Sequence, residues 1–140
     1  MAIVFKRRIT LGLGAIAAVA LVAIAIRNYF PLCANESIQI VHSPSKQKRA
    51  VIFSRNCGAT TGYNTQISIV DATENLANTP GNVFVSDSAQ DYAKRNEAIV
   101  RWKADDELVI NYGASARVFK SLEAAAGVKI IYEKASRPST

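Results

Sequence analysis

The sequence predicts a mainly β protein: an N-terminal transmembrane helix followed by one small antiparallel β-domain, either a sandwich or a partial barrel. Three observations carry this reading. An uncharged run, ITLGLGAIAAVALVAIAI, fills residues 9–26 between Lys6-Arg7-Arg8 and Arg27. Beyond residue 33, eight short segments are rich in β-branched and aromatic residues, several in strict apolar–polar alternation. Clusters of Pro, Gly, Asn, Asp and Ser separate them, and a length of 140 residues leaves room for about one such domain.

As a helix, the 18-residue run from Ile9 to Ile26 spans roughly 27 Å at ~1.5 Å per residue, close to the ~30 Å hydrocarbon layer of a bilayer. A cleaved signal peptide is the competing reading, because Ala23-Ile24-Ala25 fits a small-residue cleavage site. The run length favours an uncleaved anchor. A lipid-modified Cys33 is disfavoured by the bulky Phe30-Pro31-Leu32 before it. Three cations precede the run and Arg27 alone lies between it and Lys46, so the N-terminus is expected in the cytoplasm. This predicts a cytoplasmic stub at 1–8, an anchor at 9–27 in the inner or cytoplasmic membrane, a periplasmic or extracellular β-domain at 33–135, and a flexible tail at 136–140.

The net charge of +6 follows this division. Of the 17 Lys/Arg, four (Lys6, Arg7, Arg8, Arg27) lie in residues 1–27, leaving 13 to face all 11 Asp/Glu. The high pI is mostly a topology signal, and nucleic-acid binding, which needs a basic patch on the domain, is not supported.

The strand segments are SIQIVH (37–42), KRAVIFSR (48–55), TQISIV (65–70), NVFVS (82–86), EAIVRWK (97–103), ELVINYG (107–113), ARVFK (116–120) and GVKIIYE (127–133). Ser43-Pro44-Ser45, Thr79-Pro80-Gly81-Asn82 and Ala104-Asp105-Asp106 read as turns. Two stretches read equally as short helices or as loops: Ser88–Arg95, where Ser88 and Asp91 have capping-box spacing, and Ser121–Ala126, closed by Gly127. Phe53, Phe84, Trp102, Tyr112, Phe119 and Tyr132 fall inside strands and read as core or half-buried sheet residues.

Both cysteines, Cys33 and Cys57, follow the anchor, in a compartment where disulfides persist. Their midpoint, residue 45, is the centre of the Ser43–Gln47 turn. A hairpin folded there sets residue 33 opposite residue 57, within bridging distance. The predicted disulfide closes about 25 residues and contributes on the order of 3 kcal/mol. An alternative makes Cys57 the nucleophile of a thiol-dependent enzyme, which needs a base. The one histidine, His42, falls at the far end of that hairpin.

The stretch RNCGATTGYNTQ at 55–66 reads as a compact loop whose small residues permit tight turns. Arg55, Thr60, Thr61, Tyr63 and Gln66 form a candidate recognition loop, since loops on rigid sheets often carry binding. Its Gly-x-x-x-Gly lacks the Lys-Ser/Thr of a phosphate-binding loop.

SPSKQKRAVIFSRNCGATTGYNTQISIV, with GNVFV and VRWKADDELVINY, resembles a family of small exported or membrane-anchored bacterial proteins that share a C-G-A-T-T-G-x-x-T-Q core. The resemblance implies one exported domain and supplies no catalytic residues. Members often carry Asp where this chain has Asn56, and Ser-Pro-Asp-Gly where it has Ser43-Pro44-Ser45-Lys46. Those departures argue against a charged role at position 56 and against a tight glycine turn.

No metal or cofactor site is predicted. Asp105-Asp106-Glu107 lacks a second ligand group, and a zinc set lacks ligands. The functional expectation is a membrane-anchored, extracytoplasmic binding or structural module of the bacterial envelope, with an envelope protein as its partner and without catalysis. The alternatives are the Cys57 enzyme and an immunity-type inhibitor of a periplasmic enzyme.

Overall fold

The computed structural model describes residues 14, 16–26, 32–58, 64–88 and 98–135. The chain divides into two compact units, Met1–Leu32 and Cys33–Thr140. In the first, Gly14 and residues 16–26 are helical, and Ile16, Val19, Leu21, Val22, Ile24 and Ile26 are each 56–70% exposed. Among the described residues no helix is long and apolar enough to cross a membrane. The remainder of the expected 9–27 span, the stub at 1–8 and the tail at 136–140 lie outside the described residues.

The second unit is built of strands: β1 (Ala34–His42), β2 (Lys48–Asn56), β3 (Asn64–Asp71), β4 (Phe84–Ser88), β5 (Ala98–Ala104), β6 (Glu107–Tyr112), β7 (Ala116–Ser121), β8 (Ala124–Ala125) and β9 (Val128–Lys134). Each of the eight expected segments is a strand, and the two-residue β8 is added. One sheet has the order β1-β2-β3-β4-β7 and the other β5-β6-β9-β8.

Period-2 alternation explains how the two sheets meet. Ala50 and Ile52 of β2, Ile67 and Ile69 of β3, and Phe84 of β4 share one buried cluster with Ala98, Val100, Leu108, Ile110, Val128 and Ile130 of the other sheet. Successive side chains of a strand point to opposite faces, so every second residue of each sheet enters this layer. Trp102 packs half-buried at its margin, and its Nε1 donates to the Val41 carbonyl at 3.0 Å, tying β5 to β1. Phe84, Tyr112 and Tyr132 form a ring cluster with centroids 5.5–6.4 Å apart.

Several expectations are corrected. The five-stranded sheet is antiparallel throughout, but β6 and β9 pair in parallel, so the domain is mixed. The cause is connectivity: after β6 the chain crosses to pair β7 with β4, then returns through β8, and the round trip brings β9 back in the sense of β6. The Ser121–Ala126 stretch, read as a short helix or a loop, is neither a helix nor wholly a loop: it is the end of β7, a link, and β8. Ala126 and Gly127 both have positive φ, 52° and 71°, the conformation of a two-residue hairpin turn matched to strand twist, and they join Ala125 to Val128. Ser88 ends β4 opposite Ala116, and the rest of the Ser88–Arg95 stretch lies outside the described residues. Phe119 is 62% exposed because the β4–β7 register shifts beside it, Val85 pairing Lys120 and Ser86 pairing Val118.

The first hairpin follows the expected register at its open end, with Ala34 opposite Asn56 and Ser37 opposite Phe53. A bulge between Ser37 and Gln39 then moves the pairing by one, so His42 faces Arg49 rather than residue 48. At the closed end, Lys46 N–H donates to Ser43 C=O at 2.9 Å and Lys46 has φ 61°. The tight turn therefore forms, with a lysine in the left-handed conformation that glycine prefers. Asp105, in the β5–β6 turn, accepts the Ser45 N–H at 2.8 Å and joins the two turns.

Candidate functional site

The side chains of Arg49, Val51, Phe53 and Arg55 alternate with the core residues of β2 and so share the outer face of the five-stranded sheet. Val51 and Phe53 are nonetheless fully buried. The connection 72–83 is tied to both ends of this row. Arg49 Nη2 donates to the Glu74 carbonyl. Arg55 Nη1 donates to Asn78 Oδ1 at 3.0 Å. Asn35, opposite Arg55 on β1, donates to the carbonyls of Ala77 and Thr79 at 3.0 and 2.9 Å.

At the far side of this strap the chain uses asparagine as a surrogate strand. Asn82 Oδ1 accepts from Ile69 N and its Nδ2 donates to Ile69 O, at 2.9 and 2.8 Å, continuing the ladder where the β3–β4 pairing ends at Ile67–Phe84. Asn64 repeats the device on β2: its Oδ1 accepts from Arg55 N at 3.0 Å and its Nδ2 donates to Arg55 O at 2.6 Å. A carboxamide carries one acceptor and one donor group in a plane, as a peptide unit does, so both backbone groups of the partner are satisfied.

The contacts of Asn35, Arg55, Asn64 and Asn78 converge on one corner. Cys33 and Cys57 are joined by a disulfide, S–S 2.04 Å, that closes the open end of the β1–β2 hairpin. There are no free cysteines, so Cys57 carries no thiol to act as a nucleophile. His42 faces Arg49 at the other end of β2. Asn78 Nδ2 donates to Cys33 C=O at 2.8 Å and Asn56 Oδ1 accepts from Gly58 N at 2.9 Å.

The five candidate recognition residues separate. Thr60, Thr61 and Tyr63 lie outside the described residues. Gln66 is only 6% exposed; its Oε1 accepts from Gly81 N at 2.7 Å and its Nε2 donates to Asn64 Oδ1 at 3.0 Å, an internal brace between strap and corner. Arg55 is half-buried and its Nη1 is held by Asn35 Oδ1 at 2.6 Å as well as by Asn78.

Asn35, Asn64 and Asn78 complete the corner, Asn82 seats the far side of the strap on β3, and none of the four is marked by sequence spacing. The one signal for them is the length of the 72–83 connection, at the upper end of what compact domains use without a structural or functional reason. Among the described residues no group of three or more His, Cys, Asp or Glu could hold a metal ion. Asp105-Asp106 occupies a two-residue turn between Ala104 and Glu107.

The chain matches no protein-family model, no curated protein and no solved structure. The resemblance drawn from Cys57–Gly62 and its flanks is carried by those residues alone.

Proposed function

We propose that this chain is a non-catalytic binding module of the bacterial envelope, anchored by residues 9–27 in the inner or cytoplasmic membrane and presenting the Cys33–Cys57 corner to a protein partner outside. The observation that carries the reading is the construction of the corner: a disulfide and five side-chain amides (Asn35, Asn56, Asn64, Gln66, Asn78) hold one arginine and the base of the CGATTG loop in place. Rigid scaffolding beneath a polar loop lowers the ordering cost of binding. The oxidised cysteine pair supports an exported location, and the large apolar side chains exposed along residues 16–26 support a lipid environment for that segment.

Two measurements test it. Intact mass after alkylation in whole cells reports topology: label added only after reduction fits the exported, stapled domain, whereas label without reductant removes it. A photo-crosslinker at position 61 and another at position 129, on the second sheet, report the surface. Capture of one defined partner from position 61 alone, diminished by Arg55→Ala, is expected. Equal capture from both positions would refute the assignment of the corner.

A further inference from the structure

We infer that the Nε/Nη2 edge of Arg55 is a receptor for an oxyanion, a carboxylate or a phosphate, borne by whatever this corner binds. The inference rests on the binding reading above and adds the chemistry of its central contact.

The guanidinium has five N–H donors. Both hydrogens of Arg55 Nη1 have acceptors, Asn35 Oδ1 and Asn78 Oδ1. These acceptors are themselves oriented. Asn35 Nδ2 is committed to Ala77 O and Thr79 O, and Asn78 Nδ2 to Cys33 O, so each amide oxygen faces the arginine. The remaining three donors, on Nε and Nη2, meet no acceptor among the described residues.

That edge is the fork which pairs with two oxygens at once. The same molecule shows its ordinary fate: Arg117 spends Nε and Nη2 on Asp87, at 3.0 and 2.6 Å. Arg55 has no such carboxylate among the described residues, where the salt bridges are Lys103–Glu107 and Arg117–Asp87. Its immediate neighbours are neutral amides. A cation held at Nη1 and, among the described residues, uncompensated and open on its bidentate edge is organised for an anion arriving from outside. If Arg55 served only to fasten the strap, its Nη1 contacts would suffice and the open edge would be inert.

The test uses the full chain in detergent micelles, with the arginine Nε–H resonances followed by NMR while sodium phosphate, sodium acetate or sodium chloride is added at matched ionic strength. The Arg55 resonance is expected to move saturably with phosphate, acetate or both, and the responding salt identifies the group. The Arg117 resonance, already engaged, is expected to stay. Arg55→Lys, which keeps the charge and removes the fork, should weaken the response of the Asn35 and Asn78 side-chain amides at least tenfold. An Arg55 response equalled by chloride, tracked by Arg117, or unchanged in affinity in Arg55→Lys would overturn the inference, and the wild-type titration decides even if that variant unfolds. Loss of the anion response with position-61 crosslinks intact would sink the oxyanion alone; loss of both would sink the binding reading as well.

Discussion

Gly81→Ala should be among the most damaging single-methyl additions in the domain, and its cost can be worked from the structure. Gly81 is buried where the strap passes β3. A Cβ built there stands 2.7 Å from Phe84 O, 2.9 Å from Ile67 O and 3.1 Å from Ile67 N, all backbone atoms. No side chain can swing away, so the strap itself must retreat. Retreat strains the bonds that seat it: Gly81 N to Gln66 Oε1 at 2.7 Å, Val83 N to Ile67 O at 3.1 Å and Lys120 Nζ to Gly81 O at 2.9 Å. Overpacking costs about 1–3 kcal/mol, and weakening one or two of these hydrogen bonds adds about 1 kcal/mol each. The alanine restricts the unfolded chain and returns about 0.4–1 kcal/mol. The net expectation is a loss of about 1–4.5 kcal/mol. Urea unfolding followed by the single tryptophan, Trp102, measures it, because the Trp102–Val41 bond is broken on unfolding. A change below about 0.5 kcal/mol, or a gain, would refute the steric reasoning.

Three further expectations use the same reporter or NMR. Replacing both cysteines by serine should cost about 3 kcal/mol from the freed loop, with a sequence separation of 24; an unchanged urea midpoint would show that the staple is not needed for stability. Lys46→Gly should stabilise by about 0.5–1 kcal/mol, since relief of the left-handed conformation, ~1–2 kcal/mol, exceeds the added chain entropy of glycine; destabilisation would mean that Lys46 has a role beyond the turn. The Ser45 backbone hydrogen bond, helped by its side chain, holds the Asp105 carboxyl below its ordinary value. A depressed carboxyl stabilises fully above the unfolded value near pH 4 and loses that contribution as the pH falls through the folded value. The Ser45 amide shift should therefore titrate with a midpoint below about 3.8, and a midpoint at or above about 4 would remove the bond from the turn-to-turn link.

How much of this was legible follows from the range of each signal. Strand positions are written locally, as β-branched alternation, and so are the hairpin centre at Ser45 and the cysteine pairing it implies. Pairing partners after β4 are not: nothing in ELVINY or VKIIYE shows that β9 will lie parallel to β6, because that depends on β7 crossing to the other sheet. The Ser121–Gly127 stretch carries a helix-like ending, and the choice was decided by Ala126 taking positive φ, which an alanine does not advertise. The corner is the least legible part. Arg55 stands out as a charge beside CGATTG, but Asn35, Asn64 and Asn78 act across 9 to 45 residues of sequence, and an isolated asparagine reads as a turn former. Gln66 reads as a polar surface residue by composition and is consumed internally because the strap covers its face.

The strap also explains why the candidate surface belongs at this corner rather than at a sheet edge. The described edges are β1 and β7 of one sheet and β5 and β8 of the other, and each carries an irregularity or is short; β5 is bulged between Trp102 and Ala104. β1 is bulged beyond Ser37 and receives Trp102 at Val41; β7 is displaced at Phe119, which the Arg117 guanidinium covers at 5.2 Å; β8 is two residues long. Such devices discourage strand addition by another chain. On the outer face of β2, Val51 and Phe53 are buried between Arg49 and Arg55, the two points to which residues 72–83 are tied. What remains is the end of that face, where the strap stops, the disulfide begins and Arg55 keeps three donors unspent among the described residues. Blunted edges, together with an Arg55 that has no acid partner among the described residues, fit the proposed use of this corner for recognition.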